Sequence, residues 1–538
     1  MKPWTYIDLF CGCGGFSLGL QRAGFQELAA LDFNPQAIAT FKANFPHIPK
    51  ARIIEADLTE FGPEKLDAML LPINSRAPRP KVDVIVGGPP CQGFSPARRV
   101  GGGNHGKKLV PDKRRDLYKQ FLAYVTFYQP RIFVMENVLG IRSAAGGEFF
   151  TRVQSEARAL GYRVHGEELR AWQFGVPQKR IRQVIIGTRR EMPIFSASHW
   201  LQPTHQEAAD ATHRKMVTLW EAIGDLPTLA ADEGSYETTY DLGLRKKHEE
   251  KYGKRFHKNI LQIQKAEKLT NHVSRPHSDR DLRDFKLLLE GESSAVAMRD
   301  RHVEFEWPYS KEHFKDRYTR QHRNRLCSTI VAHLSKDGLM FIHPTQCRSL
   351  TPREAARVQT FPDWFIFPKE RTHAFRLIGN AVPPELGRAV GMGLRKYLTD
   401  AERVAEGPVR ISPLPTDAAQ AVLWVELLVD AVKSRSLAKV SISDFKRGWF
   451  ALGCLYPRLH PEGVRNNGSQ VAVQYAGLEA AAAKEFASPV YVQSGWPVSL
   501  VPIAMEAARR HQEGSLRDVE YHFSDAQLTG ILWMDEEE

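Results

Sequence analysis

The stretch Gly87-Gly88-Pro89-Pro90-Cys91-Gln92-Gly93-Phe94-Ser95 places one thiol on a proline-stiffened turn. A cysteine becomes a nucleophile when its position is fixed and its thiolate is favoured. A buried, inert cysteine is the commoner fate, but flanking glycines and prolines weigh against burial inside a strand. Glu136-Asn137-Val138 supplies a carboxylic acid that, once enclosed, could donate a proton to a ring nitrogen; a helix-capping acid is the other reading. In Gln178-Lys179-Arg180-Ile181-Arg182, alternation on an extended segment puts Gln178, Arg180 and Arg182 on one face. Two guanidiniums there suit a phosphate or a carbonyl-bearing base, and a solvated basic edge is the bland alternative. Gly12, Gly14 and Gly15 let backbone approach a ligand closely, and Asp32 is placed to accept hydrogen bonds from ribose hydroxyls. The pattern is not a dinucleotide fingerprint, so an adenosine-containing cofactor and a purely structural turn both remain open.

The elements that position these residues alternate between short apolar runs and helical patterns. Strands are predicted at 6–10, 28–32, 82–86, 131–135 and 183–186, with helices from Phe16, from Pro35 to Phe45, and from Leu117 to Phe127. Strand, turn and helix repeating in this way predict an α/β fold with a parallel sheet covered on both faces. Gly12, Asp32, Cys91 and Glu136 all fall at or just after strand ends, where such sheets bind ligands.

The chain has 538 residues and a formal net charge of +12, a balance that suits a polyanionic partner without proving one. Six scattered cysteines form no CxxC pair, so neither a zinc ribbon nor a disulfide framework is expected. Cys11 and Cys13 read as packing residues, and no metal is expected. With no signal peptide pattern and no long uncharged apolar stretch, a cytoplasmic protein without membrane contact is expected.

Taken together, the blocks resemble the bacterial DNA (cytosine-5) methyltransferases over residues 5–190 and about 325–395. They are Asp8 to Gly15, Gly88 to Ser95, Glu136-Asn137-Val138 and Gly175 to Arg182. Then come Arg348 to Glu354 with Gln359-Thr360-Phe361-Pro362, and Ile378-Gly379-Asn380-Ala381-Val382-Pro383-Pro384, all in family order.

The resemblance implies a Rossmann-like methyltransferase catalytic domain formed by residues 1–190 and 326–400. A smaller target-recognition region at 191–325 and a C-terminal extension at 409–538 complete the expected layout. It implies S-adenosylmethionine as cofactor and S-adenosylhomocysteine as product. Phe10 would stack on the adenine, Asp32 would bind the ribose and Asp57 the adenine amino group, with Gly12, Gly14, Leu117 and Asn380 completing the pocket. The family often has glutamate where Asp32 stands. Cys91 would attack C6 of a cytosine flipped from double-stranded DNA, Glu136 would hold N3 and the exocyclic amine, and Arg182 with Arg180 would contact the base or hold the site together.

Residues 98–108, basic and glycine-rich, suggest a lid, against the reading of an ordinary loop. The basic run from Arg245 to Lys258, interleaved with Tyr252 and Phe256, suits phosphate contacts. His272 and His277 are read as packed or solvated before they are read as base readers. The rival readings are a tRNA methyltransferase, a non-catalytic subunit of a defence complex and a nucleotide-dependent oxidoreductase. A restriction-modification or phage-defence role is expected by analogy, with residues 409–538 as a possible contact for partner proteins.

Overall fold

The computed structural model describes residues 3–70, 81–90, 117–142, 148–190, 192, 195, 197–266, 268–306 and 318–405. Cys91, the 98–108 segment and the C-terminal extension lie outside the described residues. The sheet has seven strands: β1 (Thr5–Leu9), β2 (Gln26–Asp32), β3 (Ile53–Glu55), β4 (Val84–Gly87), β5 (Ile132–Val138), β6 (Tyr162–Arg170) and β7 (Ile181–Arg189). Their spatial order is β3-β2-β1-β4-β5-β7-β6. The first five pair in parallel, and their apolar runs are buried on both faces, as parallel strands require.

Three strands depart from the sequence reading, the first being the short β3, which was not expected. β6 is an additional strand whose charged stretch His165-Gly166-Glu167-Glu168 hid it. β7 runs antiparallel to both neighbours. Parallel strands need a crossover, usually a helix, whereas only a short helical turn at Ala171–Phe174 separates β6 from β7.

The helices are α1 (Gly15–Arg22), α2 (Pro35–Asn44), α3 (Pro63–Leu70), α4 (Leu117–Tyr128), α5 (Glu148–Ala159), α6 (Ala197–Trp200) and α7 (Leu219–Ile223). They continue with α8 (Leu242–Tyr252), α9 (Asp279–Leu287), α10 (Ser294–Arg301), α11 (Pro352–Val358), α12 (Arg371–Asn380) and α13 (Pro384–Ala405). Alternation along β1 sends Tyr6 into a cluster with α1 and α13, and Ile7 and Leu9 into one with α3 and α4. Helices therefore cover both faces of the sheet.

Another apolar cluster joins Phe41 and Phe45 of the first segment to Leu219, Phe256 and Leu269, and to Phe361, Phe375 and Ile378. Much of the stretch between 217 and 269 thus shares a core with the returning chain. At its centre lies α11, opened by a capping box of Thr351 with Glu354 and by Pro352 at the first helical position. Its arginines do not face water. Arg357 is fully buried and binds Asp363 through two bonds of 2.8 and 2.6 Å and Asp225 through both terminal nitrogens. Arg348 makes a bidentate pair with Glu354 at 2.8 and 2.7 Å. Burial raises the pKa of Asp225 and Asp363, yet the Arg357 guanidinium outweighs it and holds both carboxyls below their usual range. Among the described residues no helix is long and apolar enough to cross a membrane.

Removing Arg357 would leave two buried carboxylates without their cation. Arg357→Leu is expected to cost about 3–5 kcal/mol in urea unfolding, against within about 0.5 kcal/mol for the exposed Lys246→Ala. Equal stability of the two variants would contradict this account.

Candidate active site

The turn after β1 takes its shape from backbone that side chains rarely adopt. Phe10, Gly12 and Gly14 have φ of 59°, 56° and 92°. A Cβ on Gly15 would sit 2.2 Å from the carbonyl oxygen of Val382, so the turn is pressed against the segment leading into α13. Asn380, the exposed last residue of α12, is thereby brought towards the turn from far along the chain.

Asp32 ends β2 almost fully buried, and its two oxygens accept from the N–H groups of Gly12 and Asn34, both at 2.9 Å. Burial raises its pKa and these backbone bonds oppose the rise. The N–H of Ala56 donates to the carbonyl of Asp32 at 2.9 Å, which sets Asp57 beside it. Asp57 is exposed, and one of its oxygens accepts from the backbone N–H and hydroxyl of Thr59. Leu117 opens α4, half-buried. Phe33, directly after Asp32, is 64% exposed, a large aromatic surface that sequence reasoning passed over. Its only signal was its place after a strand-end acid.

Beneath the turn, the Ser17 hydroxyl oxygen lies 2.6 Å from Asp8 Oδ2 and 2.9 Å from Glu27 Oε1. A hydroxyl has one proton to give, so one of these carboxyls must itself donate. Burial, with neighbouring acids adding to it, pushes Asp8 up to about 7 and Glu27 up to about 8.

At the other side of the site, Glu136 lies near the end of β5 and not beyond it. Arg182 Nε is 2.8 Å from Glu136 Oε1, both side chains being mostly buried. The pairing follows from register: Arg182 stands opposite Val138 on antiparallel β7, on the same face as Glu136 two residues away. A Cβ on Gly88 would come 3.2 Å from Glu136 Oε2, so that glycine admits the carboxylate to the turn leading to Cys91. Asn137 Nδ2 donates to the carbonyl of Pro89 at 3.2 Å, tethering the same turn.

Arg180 and Gln178 are not a solvated edge. Arg180 is fully buried and donates to the carbonyls of Ile330 at 2.8 Å and Ala381 at 2.9 Å. Gln178 binds the carbonyl of Val358 and the N–H of Ile330. These bonds tie β7 to the returning chain. His272 is packed, bonded to Pro227 and Thr351, and His277 accepts from the N–H of Ser349. In the basic run, Lys246, Lys247, Lys251, Lys254, Arg255 and Lys258 are exposed, whereas Phe256 is a core residue and does not interleave with them. Cys11 and Cys13 are buried free thiols, Cys13 pushed up to about 12 by burial.

The family described as C-5 cytosine-specific DNA methylase matches residues 4–396. The type II methyltransferase M1.HphI of Haemophilus parahaemolyticus is 33% identical over 396 residues, spanning 74% of this chain and 88% of that protein. M.DdeI of Desulfomicrobium norvegicum is 31% identical over 425 residues, spanning 75% and 92%. Among solved structures, a candidate DNA modification methyltransferase encoded within a prophage (E. coli) superposes with a TM-score of 0.55 at 25% identity, covering 74% of this chain and 99% of that one.

Because Asp8 and Glu27 hold their proton more tightly folded than unfolded, they favour the folded state fully below the ordinary carboxylate range. That contribution is lost as pH rises through about 7 and 8. The thermal midpoint should fall between about pH 4 and about pH 8, and Glu27→Gln should flatten the fall. An unchanged slope in that variant would refute the shared proton.

Proposed function

The chain belongs to the C-5 cytosine-specific DNA methylase family, and from that premise we propose how its own residues carry out methyl transfer to DNA. It is a cytosine-5 DNA methyltransferase of the type II restriction-modification kind. S-adenosylmethionine, when bound, supplies an electrophilic methyl group and leaves as S-adenosylhomocysteine. The β1–β2 end fits such a group: a buried acid oriented by two backbone N–H groups, a turn of left-handed residues, and an exposed aromatic ring at Phe33. Asp32 would accept the ribose hydroxyls, Phe10 and Phe33 would hold the adenine and Asp57 would accept its amino group, with Leu117, Asn380, Gly12 and Gly14 completing the pocket.

The chemistry then follows from what cytosine lacks. C5 is a weak nucleophile until a thiolate adds at C6 and N3 is protonated, which leaves C5 enamine-like. The cytosine is flipped out of the duplex to reach the site. Cys91 forms the S–C6 bond, while Glu136 in its protonated form gives its proton to N3 and holds the exocyclic amine, and N3 returns that proton to Glu136 when the thiolate is expelled. C5 takes the methyl group. The C5 proton then leaves to solvent, the C5–C6 double bond re-forms, and the thiolate is expelled. Arg182 fixes the Glu136 carboxylate, and Arg180 acts at one remove, as a positioning residue that ties β7 to the returning segment.

The observation that supports this reading best is the Glu136–Arg182 pair pressed against Gly88, three residues ahead of Cys91. The exposed lysines of the 245–258 run suit contacts to nucleic-acid phosphates. Marking self DNA in a restriction-modification or phage-defence system is the role in keeping with these relatives, with residues 409–538 available to partner proteins.

Radiolabelled methyl transfer onto duplex DNA and onto tRNA tests the proposal. Cys91→Ser should abolish incorporation into DNA, and Glu136→Gln should lower kcat by about 10²–10⁴-fold. Asp32→Ala should chiefly weaken cofactor binding. Wild-type turnover in Cys91→Ser, or labelling of tRNA alone, would overturn it.

A further inference from the structure

Two histidines outside the active site have inner ring nitrogens without a well-formed hydrogen bond, although His257 Nε2 lies 3.4 Å from Asp225 Oδ1. His248 on α8 directs Nε2 to the carbonyl of Trp220 at 2.9 Å, which makes that nitrogen the donor and leaves Nδ1 a lone pair. His257 directs Nδ1 to the Glu249 carboxylate at 3.2 Å. His248 Nδ1 and His257 Nε2 are buried without a hydrogen-bond partner. Asp225, which follows α7, faces both: one ligand atom from each of the three residues lies within 4.8 Å of the others. All three residues are more than nine-tenths buried.

We propose that Asp225, His248 and His257 bind a divalent transition-metal ion of the zinc class, at a structural site distinct from the catalytic centre. Metal-bound histidines characteristically donate their outer N–H to a carboxylate or backbone carbonyl, and here one does each. Two imidazoles on one ion, with metal–nitrogen bonds of about 2.0–2.1 Å, place ring centres roughly 4.5–5 Å apart. The centres of His248 and His257 are 4.9 Å apart, and the stack of their rings, 16° between planes, has to open by side-chain rotation for both lone pairs to meet on one ion.

The donor set of two imidazoles and a carboxylate selects against magnesium and calcium, which take oxygen ligands. Charge allows it too. Asp225 and Asp363 are matched by Arg353 and Arg357, and the partly exposed Glu249 behind His257 adds one negative charge to the cluster. Arg357 keeps its place on Asp225 as an outer donor to the ligating carboxylate. The ion would join α7, α8 and the 256–261 turn, and through Asp225 would fix them to α11.

The rival is a protonated His257 bridging Asp225 and Glu249, which uses no metal and leaves His248 Nδ1 unsatisfied. The full chain, without an affinity tag and stripped by chelator, is titrated with cobalt(II) and then zinc. One tightly held equivalent per chain is expected, with a cobalt ligand-field band that zinc abolishes and a thermal midpoint raised by either ion. His248→Gln and His257→Gln should each weaken binding at least tenfold, and Glu249→Gln about tenfold through its outer contact. Circular dichroism of the variants separates lost binding from lost fold, and the wild-type titration needs no variant. Absence of a tight equivalent in the wild type, or affinity unchanged in both folded histidine variants, would overturn the proposal. So would a His257 imidazolium titrating by NMR in metal-free and metal-treated protein alike.

Discussion

A guanidinium with no access to water must have its counter-charges in place before the chain around it can close. Arg357 is that group. Its two acids come from different stretches, Asp225 from the turn after α7 and Asp363 from the loop after α11, so three segments are fixed to one another by directional bonds. Such a network adds little stability over an apolar core of the same volume, but it penalises any arrangement that breaks it. Arg180 and Gln178 do the same at the sheet: their bonds run to backbone groups of residues 330, 358 and 381. The catalytic sheet and the returning chain are therefore held in register by buried polar contacts as well as by apolar packing.

That register matters at the active site. In the proposed mechanism Glu136 acts only if its carboxylate faces the turn that leads to Cys91, and Arg182 pairs with it there. Arg182 follows Arg180 by two residues, so the clamp on the returning segment also sets the start of β7. At the cofactor end the dependence is the same in kind. The glycine turn is shaped by contact with Val382 and Phe361, and Asp32 is oriented by the turn.

Much of this was legible in the sequence because the apolar runs of parallel strands are local signals. β1, β2, β4 and β5 were expected within a few residues of where they lie, and the strand-end position of Asp32 and Glu136 followed from them. What could not be read depended on distant partners. The direction of β7 is set by the shortness of its connection, and β6 is masked by charged residues that the sheet edge tolerates. The arginines of α11 look like a solvated helix face in sequence, because a charge shows its sign and not its partner. Phe256 looked like an aromatic among phosphate-binding lysines for the same reason, and is core. Phe33 escaped because an exposed aromatic differs from a buried one only by its surroundings.

The packing of α1 against α13 through Gly19, where a Cβ would lie 2.5 Å from the Arg388 nitrogen, has a consequence for how the protein is made. A ribosome releases α1 long before α13 exists, so the early helix waits with an unfilled groove along its glycine. The cofactor turn next to it cannot be consolidated until the late helix arrives. A nascent chain that has released α1 but not α13 therefore lacks the packing that shapes this turn.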